Sequence, residues 1–379
     1  MHRILILGGG FGGIAAAHAL RQSLPAEDEI ILVERGTHFM MGLHKNWVLT
    51  GQSTVDEGQR PLAALGQFGI TVRQGTVTAI HPAERAAEVD GQRIEADAVL
   101  VALGAQLAPE AVPGFAEHAL NVYDPASIER AAQAVGAMRE GRLVIGVFGA
   151  PYKCPPAPYE MALLLKDMFE QSQVHVVIEV FTLQPASMPL LGEAGCSVLD
   201  TRLEENGVLF LANHKASAVE PGQVVFGERK RPYDVLLGVP PHRCPDVVSA
   251  SGLTGEAKWV RVNPRTMETA FPGVYAVGDT TEIIMADSKP LPKAGVFAEA
   301  EGIIAARNIV AALTGQPPAA EFDGRGYCFM EVGQGQAVLV TGQFLAQPAP
   351  EVVMTEPSTQ SLEDKHKFEA DRLKAWFGG

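Results

Sequence analysis

A glycine-rich turn directly after an apolar run constrains this chain more than any other feature. The segment Gly8-Gly-Gly10-Phe-Gly-Gly13 fits the pattern G-x-G-x-x-G and lies between the apolar residues 4–7 and a predicted helix over residues 14–20. Glycines at these places allow a tight turn, close approach of the backbone to a pyrophosphate, and close packing of helix on strand. The helix then directs the positive end of its dipole at the phosphates. The pattern predicts a dinucleotide-binding βαβ unit.

An acidic residue stands where such a unit needs one. The predicted second strand, Glu29-Ile-Ile-Leu-Val-Glu34, ends in a carboxylate that can accept hydrogen bonds from an adenosine ribose. Strand, glycines, helix and acid therefore occur in register, which is more specific than the glycine pattern alone. A glycine turn in an unliganded α/β sheet is the alternative. The predicted contacts of the dinucleotide in this part of the chain are Gly8, Gly10, Phe11, Gly12, Gly13, Glu34 and Arg35.

Length and composition indicate the class of fold. A chain of 379 residues with 47% hydrophobic and 20% charged residues is typical of a globular protein with two or three domains. Strand and helix signals alternate over the first hundred residues or so, with one strand predicted over residues 76–80. They alternate again after Pro113, where a helix is predicted over residues 125–138. Such alternation is typical of parallel sheets covered by helices. We predict an α/β protein with two Rossmann-like dinucleotide-binding domains, as in glutathione reductase, and a small C-terminal region. The predicted limits are 1–108 and 255–320 for the two parts of the first dinucleotide-binding domain, 109–254 for the second domain, and 321–379 for the C-terminal region.

The net charge and the distribution of apolar residues indicate which classes of partner to expect. The formal net charge is −14, so the averaged field repels a phosphate backbone and nucleic acid is not expected as a partner. No run reaches the roughly 18 apolar residues of a membrane-spanning helix. Since no export signal precedes the first strand, we expect a cytoplasmic protein, with peripheral contact to the inner face of the membrane left open. The histidines show no metal-type pairing, so no metal site is expected.

Two later segments resemble FAD-dependent reductases. Ala98-Val-Leu-Val-Ala-Leu-Gly104 is similar to a strand that ends in glycine in those enzymes, and Gly273-Val-Tyr-Ala-Val-Gly-Asp279 to a motif whose aspartate contacts the ribityl or pyrophosphate region of FAD. A protein that bound only NAD would not need this second, remote contact. Lys293-Ala-Gly295 then leads into a predicted helix whose positive end could stabilise reduced flavin. The resemblance implies FAD as the cofactor and adds as contacts Val77, Ala102, Gly104, Gly278, Asp279, Lys293 and Gly295.

The second predicted Rossmann unit lacks a glycine fingerprint. Its strand runs into Gly149-Ala-Pro-Tyr-Lys-Cys154-Pro-Pro-Ala-Pro-Tyr-Glu160, where prolines lack N–H donors and bulky side chains fill the approach to a pyrophosphate. NAD(P)H is therefore a poor candidate for the electron donor. Cys154 adjoins Lys153 and precedes a predicted helix, and both features favour the reactive thiolate. An inert buried cysteine is the alternative.

This segment resembles the reactive-cysteine motif of the sulfide:quinone oxidoreductase and flavocytochrome c sulfide dehydrogenase family. The FAD segments and the closing Phe368-Glu-x-x-Arg-x-x-x-Trp-Phe-Gly378 extend the resemblance over nearly the whole chain. The resemblance implies that a second cysteine, Cys328, forms a redox-active disulfide with Cys154 beside the flavin. It also implies that sulfide, or a related persulfide or thiol, opens this disulfide and that two electrons pass through FAD to a quinone or a redox protein. Glu160 is a candidate proton relay, with a solvated carboxylate at a helix start as the alternative.

Two departures from the family pattern leave the acceptor open. Residues 105–153 contain no third cysteine, and residues 362–377 predict one charged helix that packs on the protein rather than a pair of helices that enter the bilayer. Cys196 and Cys244 carry no motif and are interpreted as structural or incidental. The alternative functions are an enzyme similar to type II NADH dehydrogenase, and an FAD-bearing subunit that docks a redox partner. A homodimer is also left open.

Overall fold

The computed structural model describes residues 1–378, except for the side chains of Leu190, Glu193 and Ala194. The strands are, in chain order, β1 (Arg3–Leu7), β2 (Glu29–Glu34), β3 (His38–Met40), β4 (Gln59–Pro61), β5 (Thr71–Gln74), β6 (Val77–His81), β7 (Ala86–Val89), β8 (Gln92–Glu95), β9 (Ala98–Val101), β10 (Gln106–Leu107), β11 (Leu120–Asn121), β12 (Glu140–Val147), β13 (His175–Thr182), β14 (Leu209–Leu211), β15 (Ala218–Glu220), β16 (Gln223–Phe226), β17 (Arg229–Pro232), β18 (Val235–Val239), β19 (His242–Arg243), β20 (Val274–Ala276), β21 (Arg325–Gly333), β22 (Gln336–Gln343) and β23 (Glu351–Met354).

The α-helices connect these strands and cover the sheets. They are α1 (Phe11–Ser23), α2 (His44–Leu49), α3 (Val55–Gly58), α4 (Phe115–His118), α5 (Ile128–Gly136), α6 (Ala157–Gln171), α7 (Gly192–Glu205), α8 (Asp246–Ala250), α9 (Gly295–Leu313) and α10 (Thr359–Phe377).

The first large sheet is parallel and has the strand order β20-β9-β1-β2-β5. Its central strand β1 is apolar on both faces because both faces are covered. Ile4 and Ile6 pack with residues of α1 and α9, whereas Leu5 and Leu7 pack with the hairpin sheet β6-β7-β8. Strand β20 comes from far along the chain and lies beside β9, so a late segment of the sequence completes the sheet that begins with β1.

The second large sheet is also parallel, with the strand order β11-β18-β12-β13-β14. Helix α6 follows β12 and supplies buried apolar side chains to the core on this sheet. The two parallel sheets confirm the predicted α/β fold with two Rossmann-like units. Two antiparallel sheets of three strands follow. The sheet β15-β16-β17 lies in the same stretch of the chain as the second large sheet, and the sheet β21-β22-β23 forms part of the C-terminal region.

Two local predictions differ from the structure. The alternation of strands and helices places the strand predicted over residues 76–80 in the parallel sheet. In the structure, β6 pairs antiparallel with β7 in a separate hairpin sheet. Strand β5 forms the edge of the parallel sheet instead. The helix predicted over residues 125–138 begins with a 3-10 turn at Pro125–Ser127 and continues as α5. The Asp124 carboxylate caps this turn by accepting a hydrogen bond from the backbone N–H of Ala126.

Helix α10 packs on the protein along one face. Leu373, Trp376 and Phe377 are buried in the core of the first sheet, and the Trp376 ring meets Phe11 edge-on with 5.4 Å between ring centroids. Among residues 1–378, the structure contains no helix that is both long and apolar enough to cross a bilayer.

Candidate active site

One cavity of about 550 Å³ brings together segments from the whole length of the chain. It lies where the first parallel sheet, the start of α6 and strand β21 meet. Of the residues predicted from the sequence, those that line it are Gly10, Phe11, Gly12, Glu34, Arg35, Ala102, Gly104, Cys154, Glu160, Gly278, Asp279, Lys293, Gly295 and Cys328. The cavity therefore joins the expected cofactor contacts to both candidate redox cysteines.

The glycine turn after β1 has a different steric requirement at each position. Gly8 has φ 113°, and a Cβ atom there would lie 2.2 Å from the carbonyl oxygen of Ala102, so no side chain fits. Gly8 and Gly13 close the turn against the sheet and are not among the described residues that line the cavity. At Gly10, by contrast, a Cβ atom would meet no atom within 4 Å. The backbone at Gly10 is thus open to a ligand, as a pyrophosphate at a helix N-terminus requires.

Glu34 orders this turn and also faces the cavity. Its Oε2 accepts a hydrogen bond from the backbone N–H of Gly9 at 2.8 Å, and its Oε1 accepts one from the N–H of Gly36 at 3.0 Å. Both bonds hold the carboxylate at the end of β2, next to Arg35. This geometry fits the ribose contact that the sequence predicts for Glu34.

The segment after β20 is held by a buried lysine. Lys293 Nζ donates to the carbonyl oxygens of Asp279 at 2.7 Å and Thr281 at 3.1 Å, and it lies 3.5 Å from the centroid of the Trp259 ring. Burial lowers the pKa of Lys293 and raises the pKa of Asp279. The Lys293 ammonium therefore braces the Gly278-Asp279 turn, a role the sequence did not predict.

Glu301, in the second turn of α9, supports the same turn. Its Oε2 accepts the backbone N–H of Gly278 at 2.6 Å, and burial raises the pKa of Glu301 to about 7. No sequence pattern distinguishes Glu301 from the other acids of this helix. Its position one turn and a half after Gly295 is the only available signal.

Val77 lies away from these residues. It belongs to β6, pairs with Val89 in the hairpin sheet, and is not among the described residues that line the cavity. The contact between Val77 and the cofactor stays a prediction, because Val77 lies outside this cavity.

The two candidate redox cysteines face the cavity from different elements, and their sulfur atoms are not bonded to each other. Cys154 precedes α6 in a left-handed conformation, with φ 52°. Its N–H donates to the carbonyl oxygen of Lys293 at 2.8 Å, and its own carbonyl oxygen accepts the hydroxyl of Tyr123 at 3.1 Å. Cys328 is held on β21 opposite Val340 of β22. The backbone of each cysteine is thus fixed by partners remote in sequence.

Burial disfavours the thiolate form of both cysteines. Burial, followed by the Glu160 carboxylate, raises the pKa of Cys154 to about 11, although the ammonium groups of Lys365 and Lys45 oppose this. Burial, followed by negative charge on Cys154, raises the pKa of Cys328 far above its ordinary value. Desolvation therefore opposes the effects of Lys153 and the helix start, and a reactive Cys154 thiolate stays a prediction.

Glu160 belongs to a buried ion-pair cluster. The Lys365 ammonium contacts Glu160 Oε1 and donates to Glu331 Oε1 at 2.7 Å, and the backbone N–H of Glu331 donates to Glu160 Oε1 at 3.0 Å. The indole N–H of Trp47 donates to Glu331 Oε1 at 2.7 Å. The Glu160 side chain is only 3% exposed, so the alternative of a solvated carboxylate is wrong.

The charges within this cluster oppose burial. Desolvation raises the pKa of Glu160, and Lys365 opposes the rise. Burial alone would lower the pKa of Lys365, but Glu160 and Glu331 together raise it above its ordinary value. The two carboxylates therefore favour the charged form of Lys365. The burial of Lys365 could have been predicted from its spacing on α10. Ser361, Lys365, Glu369 and Leu373 recur every four residues and form one buried face of the helix.

The turn after β12 shows no open approach of the kind found at Gly10. Tyr152 and Tyr159 are buried, and a Cβ atom at Gly149 would lie 2.7 Å from Pro241 Cα. Pro155 and Pro156 line the same cavity as the cysteines. The remaining cysteines, Cys196 and Cys244, are buried away from this cavity.

Comparisons with known proteins agree with this geometry. The model of the pyridine nucleotide-disulphide oxidoreductase family matches residues 2–302. The mitochondrial sulfide:quinone oxidoreductase of Mus musculus is 26% identical over 96% of this chain and 82% of its own length. The sulfide-quinone reductase of Aquifex aeolicus is 25% identical over 83% of this chain and 77% of its own length.

Solved structures extend the likeness to the whole fold. The sulfide:quinone oxidoreductase from Aquifex aeolicus superimposes with a TM-score of 0.90 at 22% identity, over 100% of this chain and 92% of the other. A NAD-dependent persulfide reductase from A. fulgidus gives a TM-score of 0.71 at 18% identity, over 90% of this chain and 64% of the other. Since the family model covers most of the sequence, the chain belongs to the pyridine nucleotide-disulphide oxidoreductase family and is an FAD-dependent oxidoreductase.

Proposed function

We propose that this protein oxidises sulfide, or a related persulfide or thiol, at a Cys154–Cys328 redox pair and passes the electrons through FAD to a quinone. The observation that carries the proposal is the shared cavity, which is lined by Gly10, Cys154 and Cys328. A cofactor on the glycine turn and a sulfur substrate at the cysteines would therefore occupy one continuous space. The names of the mouse and Aquifex relatives support sulfide and quinone as the two substrates.

The sulfur chemistry follows from thiol–disulfide exchange. In the oxidised enzyme, hydrosulfide attacks one sulfur of the Cys154–Cys328 disulfide, so that one S–S bond breaks and another forms. One cysteine then carries a persulfide, and the other becomes a thiolate that holds the released electron pair. FAD, when bound on the glycine turn, would supply the acceptor for these two electrons. A disulfide requires the two Cα atoms to lie within about 7 Å of each other.

The residues around the cysteines have distinct roles in this proposal. The backbone bonds of Cys154 to Lys293 and Tyr123 orient its sulfur towards the cavity. Glu160 lines the cavity and has a raised pKa, so it can hold or release a proton near the thiols, as a relay requires. Lys365 keeps its charge fixed beside Glu160 and sets how readily that proton leaves.

The domain limits, localisation and assembly belong to the same proposal. Strand β20, within 255–320, completes the sheet that begins in 1–108, which supports a discontinuous FAD-binding domain. We propose a cytoplasmic protein that reaches quinone by peripheral contact with the inner membrane face, alone or as a homodimer. The closed turn after β12 supports a donor other than NAD(P)H.

Anaerobic reduction of the FAD-loaded protein tests this function. We expect sulfide to bleach the flavin absorbance and a short-chain quinone to restore it, with turnover when both are present. Bleaching by NADH, with sulfide inert, would instead assign the protein to the pyridine-nucleotide-dependent reductases. Failure of both donors, together with a stable complex with a cytochrome, would favour a redox-partner subunit.

A further inference from the structure

His44 and Glu369 form a buried pair behind the cavity. The two carboxylate oxygens of Glu369 lie 3.0 and 3.1 Å from His44 Nδ1, and the side chains of His44 and Glu369 are 4% and 10% exposed. Leu43 and Lys45, on either side of His44, line the cavity, as does Phe368, which precedes Glu369. The pair therefore connects two walls of the space that the cofactor would occupy.

The two walls belong to different hydrophobic cores. Helix α2 carries His44 and places Val48 and Leu49 in the core on the second parallel sheet. Helix α10 carries Glu369 and places Leu373 in the core on the first sheet. The pair thus joins an element of each core beside the cavity, across 325 positions of sequence.

Both ring nitrogens of His44 face hydrogen-bond acceptors. Nε2 lies 3.0 Å from the carbonyl oxygen of Thr54, which can only accept, so Nε2 carries a hydrogen. The Ser53 hydroxyl is also 3.0 Å from Nε2, but its single hydrogen is directed to Glu57 Oε2 at 2.7 Å, so its oxygen is a second acceptor. Since Nδ1 faces the Glu369 carboxylate, the pair is satisfied only when it holds one proton more than a neutral histidine beside a carboxylate.

The charged groups that act on His44 come from two elements, Glu369 of α10 and Glu57 of α3. Burial lowers the pKa of His44, but the hydrogen bond and charge of Glu369, followed by the Thr54 carbonyl and Glu57, raise it above its ordinary value overall. The extra proton is therefore held at pH values around the ordinary histidine pKa of about 6.5 and is lost as pH rises further.

We propose that the His44–Glu369 pair acts as a latch that holds α2 against α10 and retains FAD in the cavity, and that the latch is closed while both ring nitrogens of His44 carry hydrogen. When the proton on Nδ1 is lost to solvent, the nitrogen lone pair faces the carboxylate and attraction becomes repulsion. His44 and Glu369 are thus positioning residues for the cavity walls. The proposal goes beyond the proposed function, because it concerns retention of the cofactor and holds whichever donor reduces the flavin.

Release of FAD from the loaded full chain tests the latch. The dissociation rate constant is measured by rapid filtration after dilution, at about pH 6 and at about pH 9, on either side of the ordinary histidine pKa. We expect release from the native protein to be about tenfold faster at the higher pH, since a hydrogen bond between charged groups is lost. Glu369→Met removes the latch and should release FAD at the faster rate at both pH values.

A second histidine–glutamate pair supplies the matched control. His81 Nε2 lies 3.1 Å from Glu88 Oε1 in the hairpin sheet, and neither residue is among the described residues that line the cavity. His81→Gln should therefore leave both release rates, and the difference between them, as in the native protein.

Glu369→Gln separates the proton from the contact. Its amide N–H can donate to Nδ1 of a neutral imidazole, so release should stay slow at both pH values. This variant also serves if Glu369→Met fails to fold or to load FAD. Glu301, whose carboxyl titrates near the Gly278-Asp279 turn in the same pH range, is unchanged in every protein compared. A pH effect that is absent from the native protein, or that keeps its full size in Glu369→Gln or Glu369→Met, overturns the proposal.

Discussion

Glu160 on α6 and Lys365 on α10 form an ion pair across 205 positions of sequence, and both side chains are almost completely buried. The pair joins the start of the helix after Cys154 to the C-terminal helix. Glu331 on β21, three residues after Cys328, completes the cluster. The positions of both cysteines are therefore coupled to one buried cation.

Loss of that cation is predicted to destabilise the protein strongly. Lys365→Met leaves Glu160 and Glu331 buried without a counter-charge, and breaking a buried pair in this way costs about 3–5 kcal/mol. Urea unfolding of the FAD-loaded protein measures the loss as a lower midpoint. Lys367→Met, at an exposed position of the same helix, is the control and should change the free energy of unfolding by less than about 0.5 kcal/mol. Equal effects of the two substitutions would argue against the cluster.

A methyl group added at Gly8 should lower folding stability, whereas one added at Gly10 should lower the flavin content. Gly8→Ala places a Cβ atom 2.2 Å from the Ala102 carbonyl oxygen at φ 113°, so we expect a loss of about 3 kcal/mol or more in folding stability. Gly10→Ala meets no protein atom and should cost less than about 1 kcal/mol, yet the methyl group enters the expected path of the pyrophosphate. Unfolding curves and the flavin content per chain measure the two effects. A Gly10→Ala protein that retains full flavin content would disprove this location of the pyrophosphate.

Glu301 should give the protein a pH-dependent stability. Its pKa is raised from 4.5 to about 7 in the folded state, so the folded protein binds more protons than the unfolded chain between these values. Stability therefore falls as pH rises through this window, by about 3 kcal/mol in total. Glu301→Gln removes the titrating carboxyl group, so this part of the stability curve should flatten. The amide oxygen can still accept the Gly278 N–H, so the turn keeps its hydrogen bond. Free energies of unfolding at pH values below and above the window provide the measurement. An unchanged slope in Glu301→Gln would show that the acid does not titrate there.

The first βαβ unit could be predicted because residues close together in the sequence determine it. The glycines before α1 and the carboxylate at Glu34 are set by a continuous βαβ unit, and β2 has the bounds expected from the sequence. The apolar pattern of residues 76–80 suits either a parallel strand or a hairpin, so it does not determine the sheet to which β6 belongs.

The parts of the site that sequence reasoning missed depend on tertiary contacts. Lys45, Lys365 and Glu331 are charged residues that sequence patterns usually assign to the surface, and only packing between distant elements buries them. The pairing of Cys154 with Cys328 was implied by family resemblance alone, since no local pattern links positions so far apart. The cavity that both cysteines line is consistent with that pairing.

Sulfide titration of cysteine variants tests the redox pair most directly. The native chain, Cys154→Ser and Cys328→Ser are titrated anaerobically with sulfide, with Cys196→Ser as the control for a buried cysteine outside the cavity. We predict that sulfide reduces the flavin of the native and Cys196→Ser proteins, and that neither cavity variant is reduced although both retain FAD. Full flavin reduction by sulfide in Cys154→Ser or Cys328→Ser would contradict the account.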